Sequence, residues 1–300
     1  MAETMYTIQG VNGPVVTVTG GRSLPKMSLV RVGEERLPGE VVSVRGQESV
    51  VQVYEDTAGL KAGQPVYPTN QPLSVLLGPG MIGTVYDGIA RPLSTIEALS
   101  GSFITRGVDI PTLDTERTWD VTVDIRDGDT VAPGQIFART QESGSIEHRC
   151  MVPPDLSGRV EEAKPSGSYT VTEPIAYVRD ERGRRKPLTL SQLWPVRRAR
   201  PAEERLSIKT PLFTGQRVID ALFPVGKGGC AAIPGPFGAG KTMTQHQLAK
   251  WCDADLIIYL GCGERGNEMT QVLDEFGELV DPRTGKSLME RTILIANTSN

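Results

Sequence analysis

Apolar and polar residues alternate in short runs over the first quarter of the chain: VVTVTG at 15–20, LVRV at 29–32, EVVSV at 40–44 and SVVQVY at 49–54. A period of two puts the apolar side chains on one face, so each run is a predicted strand, and the Gly, Pro and Asn residues between them are predicted turns. Val41 to Val44 and Val50 to Tyr54, joined through Arg45, Gly46 and Gln47, have the pattern of a hairpin with a glycine-containing loop. A small antiparallel barrel over residues 1–70 is the economical closure, because a closed sheet has no exposed edge.

The pattern then changes. LLGPGMIGTVYDGIARPL at 76–93 is glycine-rich but lacks a GK[ST] ending, so it is expected to be a structural turn, within a hinge and start of a core at 71–110. Strand-type runs return from Trp119 to about Val178, with DGDTVAPG at 127–134 as the sharpest turn signal. The segments DGDTVAPGQ and LSGRVEEAKPSG resemble the biotinyl/lipoyl barrel sandwich, yet no lysine stands in a carrier context, so a structural β-rich insertion at 111–190 is expected. Residues 181–201 gather Arg182, Arg184, Arg185, Lys186, Arg197, Arg198 and Arg200 around prolines, and read as a solvated linker rather than a nucleic-acid patch.

Beyond Phe213 strands and helices alternate. The apolar run CAAI at 230–233 predicts a strand, and a helix follows in which Leu248, Trp251 and Cys252 share a face. DLIIYLG at 255–261 and TILIA at 292–296 predict buried strands, and Met269, Val272, Leu273 and Phe276 form a helical stripe between them. Strands separated by helices imply a parallel sheet. The expected fold is therefore an α/β P-loop core in residues 191–300, preceded by the β-barrel and carrying the β-rich insertion.

Gly235-Pro236-Phe237-Gly238-Ala239-Gly240-Lys241-Thr242 satisfies G-x-x-x-x-G-K-[ST] at every specified position, between a predicted strand and a predicted helix. Glycines let backbone N–H groups turn toward phosphate oxygens, and the helix start adds a positive dipole end. Lys241 supplies a cation for the β- and γ-phosphates of ATP, or the β-phosphate of ADP, and the Thr242 hydroxyl is a candidate ligand for the accompanying Mg2+. Glu264 and Arg265 follow the 256–260 run, where the carboxyl end of a parallel strand faces a ligand crevice. Glu264 is a candidate base toward the attacking water or a helix-start carboxylate, and Arg265 a candidate for neutralising charge on the transferred phosphoryl group.

Composition narrows the class. The chain has 300 residues, 38% hydrophobic and 23% charged, with 33 Gly, 22 Pro and a formal net charge of −4. That profile fits a turn-rich multidomain globular protein and offers no global attraction to nucleic acid or anionic lipid. Cys150, Cys230, Cys252 and Cys262 show no metal-ligand spacing and read as free thiols. The MAETMYTIQG terminus lacks signal-peptide character.

PLFTGQRVIDALFPVGKGGCAAIPGPFGAGKT at 211–242 and GCGERGNEM at 261–269 resemble the N-terminal part of the catalytic subunit of the V-type/A-type rotary ATPases, as do GPGMIGTVYDGIARPL at 78–93, LWPVRR at 193–198 and QVYEDTAGLKAGQPV at 52–66. The resemblance implies a RecA-like nucleotide-binding core, with the P-loop at Gly235 to Thr242, Glu264 as the catalytic glutamate and Arg265 beside it. It also implies ATP hydrolysis or synthesis coupled to proton or sodium translocation, in an alternating A3B3 ring with three paralogous B subunits. Central and peripheral stalk subunits and a membrane sector complete that machine, which sits on the cytoplasmic side of the membrane. Ala239, where eukaryotic relatives carry a cysteine, implies a bacterial or archaeal type. The family's magnesium-organising Asp, adenine pocket and C-terminal domain find no match before Asn300, so the 300 residues alone are expected to be inactive in hydrolysis. The alternatives are a non-hydrolysing nucleotide-binding or assembly module, and another hexameric motor of the secretion-ATPase or Rho-like helicase type.

Overall fold

The computed structural model describes residues 6–20, 24–101, 104–236 and 238–298. It divides into two compact units.

In the first unit, six strands close into a barrel: Tyr6–Asn12, Val15–Thr19, Ser28–Val32, Leu37–Arg45, Glu48–Val53 and Pro65–Pro72. Alternation sends Val16, Val18, Val30, Val32, Val41 and Val51 inward, each at most 1% exposed. The predicted hairpin is present: Arg45 pairs with Glu48 across Gly46 and Gln47, and Gly46 takes a φ of 61°. A left-handed backbone is inexpensive only without a Cβ, which is why glycine fits this turn. A buried carboxylate, Glu40, accepts Nε and a terminal nitrogen of Arg197 at 2.8 and 2.7 Å and the Tyr54 hydroxyl at 2.7 Å. Residues 193–199 are thereby fastened to the barrel in this unit.

The second unit contains a barrel sandwich and an α/β region. One sandwich sheet orders Thr130–Val131, Gly158–Glu161, Ala176–Arg179 and Arg185–Leu188; the other orders Glu147–Met151, Ile136–Gln141, Thr118–Val123 and Gly167–Thr170. Arg185–Leu188 is thus an edge strand, where the charge pattern predicts a solvated linker. Its arginine is accommodated by stacking 3.7 Å above the Tyr177 ring and by pairing with Glu162 at 2.5 Å, which removes the need for full solvation.

In the α/β region, Ile257–Glu264, Thr292–Thr298 and Val85–Asp87 form a parallel sheet in that order. The glycine-rich 78–93 stretch is therefore a turn that leads into a core strand. Ile257, Tyr259 and Gly261 face inward and pack with Met269, Val272 and Phe276 from the helix Gly266–Glu278. Leu273, expected in the same stripe, is exposed.

Three other expectations change. CAAI at 230–233 is irregular and largely exposed, because no described strand offers it a ladder partner and an unpaired strand leaves its backbone groups unmet. Residues 257–264 are a half-buried strand, since Ile258 and Leu260 on the second face are 62% and 58% exposed. In the helix Lys241–Trp251, His246 is the buried residue; Trp251 is exposed and Cys252 caps the end, so the Leu248 face is not the packed one. No helix among the described residues is long and apolar enough to cross a membrane.

Candidate functional site

Gly240 ends the 235–242 loop with a φ of 78°, a left-handed cap that admits no Cβ without strain, and the helix Lys241–Trp251 starts on the next residue. Gly238 is also left-handed, with a φ of 80°. No side chain caps this helix, so its first-turn N–H groups are directed at the space before it. Phe237 lies outside the described residues. The Lys241 ammonium donates to the carbonyls of Gly235 and Pro236, both at 2.7 Å, and so rests against its own loop. The Thr242 hydroxyl makes no hydrogen bond among the described residues and is half-buried beside it.

The strand Ile257–Glu264 brings the second set of groups to the same place. Its parallel register with Thr292–Thr298 holds from Ile257 to Cys262 and shifts before Glu264, where Gly263 takes a φ of 73°. Such a bulge turns the following side chain away from the regular alternation. Gly238 to Met243 on one side, and Cys262 to Arg265 with Glu268 on the other, line one cleft of ≈ 490 Å³. The structure thus brings Gly238, Ala239, Gly240, Lys241, Thr242, Glu264 and Arg265 together. Gly235 and Pro236 enter through the Lys241 contacts.

Glu264 shares a hydrogen bond with Glu268, and this contact, with burial and the like charge of Glu268, raises its carboxyl above the ordinary 4.5. Glu268 occupies the first turn of the helix Gly266–Glu278, where the dipole favours an acid. A hydroxyl, a carboxylate pair and first-turn N–H groups around a lysine make a donor set suited to a hard oxygen-ligated cation and its phosphates.

Sequence reasoning misses two polar residues of this unit, one beside the site and one holding the loop that enters the third strand of the parallel sheet. His246, 2% exposed, sits one turn beyond Thr242 and places Nε2 3.0 Å from the Tyr259 hydroxyl. A lone polar residue in a helix reads as solvated, and only its i, i+4 relation to Thr242 is a signal. Glu142, at the tip of a sandwich hairpin, accepts the N–H groups of Gly80, Met81 and Ile82 on one oxygen at 2.8, 2.9 and 3.1 Å. The glycine-rich loop there is an anion cradle filled by the protein's own carboxylate.

A P-loop helix over a parallel sheet, in a chain that also carries a closed barrel and a barrel sandwich, defines a nucleotide-binding protein of the ATP synthase alpha/beta architecture. Sequence models of that family match its beta-barrel domain at 8–70, its barrel-sandwich domain at 110–197 and its nucleotide-binding domain at 215–300. The chain belongs to the ATP synthase alpha/beta family. It is 57% identical over 290 residues to the V-type ATP synthase alpha chain of Halothermothrix orenii, a match that covers 97% of this chain and 49% of the relative. A subunit of the A-type ATP synthase of Methanopyrus kandleri is 51% identical over 290 residues, with 97% and 49% covered. The chain spans about half the length of the curated relatives it matches. Among solved structures, the ATPase EscN of the enteropathogenic E. coli type III secretion system superposes with a TM-score of 0.54 at 17% identity, covering 99% of this chain and 48% of that one. At that identity the likeness is one of fold.

Proposed function

We propose that this chain supplies the phosphate-binding and water-activating part of the catalytic subunit of a rotary V/A-type ATPase. The observation that carries the reading is the single cleft in which the Gly235 to Thr242 loop faces Glu264 and Arg265. The phosphates of ATP take the first-turn N–H groups of the helix Lys241–Trp251, and Lys241 leaves the Gly235 and Pro236 carbonyls to bind the β- and γ-oxygens. Thr242 is the residue that would hold Mg2+, which when bound neutralises charge on the bridging phosphate oxygens.

In hydrolysis a water attacks the γ-phosphorus, the bond from that phosphorus to the β,γ-bridging oxygen breaks, and ADP leaves. Glu264 accepts the water's proton; Arg265 offsets charge on the equatorial oxygens. A carboxylate raised by Glu268 is the stronger base, closer to the operating pH. Synthesis runs the same steps backwards.

The partners proposed are a paralogous B subunit that alternates with this one in a ring of six, the stalk subunits and, through them, a membrane ion-translocating sector on whose cytoplasmic side the ring sits. Relatives named for ATP synthases at 51% to 57% identity support this machine over another hexameric motor. Calorimetric titration of the chain with magnesium-ATP tests the reading: saturable binding that Lys241→Ala weakens supports it, and binding indifferent to Lys241 overturns it.

A further inference from the structure

His246 stands where an apolar residue would be cheaper. It is 2% exposed, its Nε2 is 3.0 Å from the Tyr259 hydroxyl, and its Nδ1 is buried with no hydrogen-bond partner. A buried ring nitrogen left unpaired costs stability that a leucine or phenylalanine of similar volume would not. Such a violation of local rules is expected where geometry serves a site.

The pair joins the helix and the strand that carry the two sides of the cleft. His246 is four residues after Thr242, so both project from one face of the helix Lys241–Trp251. Tyr259 is on the buried face of the strand that ends in Glu264, two residues before Gly261. Its ring meets His246 edge-on at 5.5 Å and Phe276 of the helix Gly266–Glu278 at 6.0 Å. Lys250 pairs with Glu275 to join the same two helices lower down. Close packing limits how far a helix can turn about its axis, and a directional hydrogen bond at one azimuth narrows that range further.

We propose that His246 and Tyr259 form a positioning pair that fixes the rotation of the P-loop helix and thereby aims the Thr242 hydroxyl at the cleft shared with Glu264. The inference rests on the reading of 235–242 as a magnesium-nucleotide loop. Rotation of the helix by part of a turn would carry Thr242 away from the cleft while leaving the loop's N–H groups and the flexible Lys241 in reach of phosphate. The hydrogen bond therefore matters for the magnesium-dependent share of binding more than for binding of the bare nucleotide.

The test compares affinity for ATP with magnesium and for ATP in EDTA, by calorimetry on the 300-residue chain, alongside the thermal unfolding midpoint. Tyr259→Phe keeps the ring and removes only the hydroxyl. It is expected to weaken magnesium-ATP binding by roughly five- to tenfold, the worth of one well-placed hydrogen bond, while ATP in EDTA changes by less than about twofold. His246→Gln, whose amide can still reach the hydroxyl, retains most of the magnesium-dependent gain, and His246→Leu loses it. Combined with Thr242→Ala, Tyr259→Phe adds no further loss, because both act on one contact. Tyr259→Phe with wild-type magnesium dependence, or with equal loss in both conditions, overturns the positioning role. A wild-type chain that binds neither form removes the phosphate-loop reading and this inference together.

Discussion

Glu142 accepts the backbone N–H of Gly80 at 2.8 Å across 62 residues of sequence, and the same oxygen takes the next two N–H groups of that loop. Its other oxygen lies 2.9 Å from Nδ1 of His148. The loop so held leads directly into Val85–Asp87, the third strand of the parallel sheet. A sandwich hairpin therefore secures the entry to a core strand, and it does so with a buried charge.

Glu142→Ala leaves three half-buried donors without their acceptor and is expected to cost roughly 2 kcal/mol of stability, measured by denaturant unfolding. His148 and the loop amides hold the carboxyl below its ordinary 4.5 against the opposing effect of burial. Unfolding thus takes up a proton as the pH drops through 4.5. The wild-type stabilisation is complete above that pH and is lost as the pH falls toward the folded-state value. The alanine variant lacks this acid dependence, and an unchanged acid slope would refute the role given to Glu142.

How much of the fold and site is legible in the sequence depends on whether partners are close along the chain. Val41 to Tyr54 announces its hairpin because alternation and Gly46 act within a few residues, and the 235–242 loop announces itself because its chemistry is contiguous. The Glu142 cradle is made of backbone N–H groups, which no side-chain pattern reports, and its halves are far apart. His246 does not register because burial of a polar helix residue is decided by the strand it meets. CAAI misleads in the opposite sense: an apolar run becomes a strand only beside a neighbour that completes its ladder.

In the barrel, Glu40 is buried and held below its ordinary value chiefly by Arg197, while burial and Glu40 push the Tyr54 hydroxyl up to about 12. Arg197→Ala strands that carboxylate, and is expected to lower the unfolding midpoint more than Arg197→Lys, which keeps the charge but loses the two-pronged contact. Equal effects of the two variants would remove the case for bidentate pairing.

Glu264→Gln in the assembled ATPase is expected to leave nucleotide affinity nearly intact and to slow hydrolysis by at least about a hundredfold, the scale for a positioned base. Glu268→Gln removes the like charge and replaces the carboxyl that shares a proton with Glu264 by an amide, which can donate to the ionised form. Glu264 then stays ionised to lower pH, so the acid limb of the rate profile moves down in pH. A limb that stays in place would assign the titration to another group.

Everything proposed for the cleft depends on the Gly235 to Thr242 loop binding the phosphates of ATP, and Lys241 is its most direct probe. The ammonium now rests on the Gly235 and Pro236 carbonyls, 2.7 Å from each, and must exchange them for phosphate oxygens. Titration of wild type and Lys241→Ala with magnesium-ATP by calorimetry measures that exchange. Saturable wild-type binding is expected, with a loss of at least about tenfold in the variant, the worth of a charge-assisted contact. Equal affinities, with both proteins folded, would contradict it.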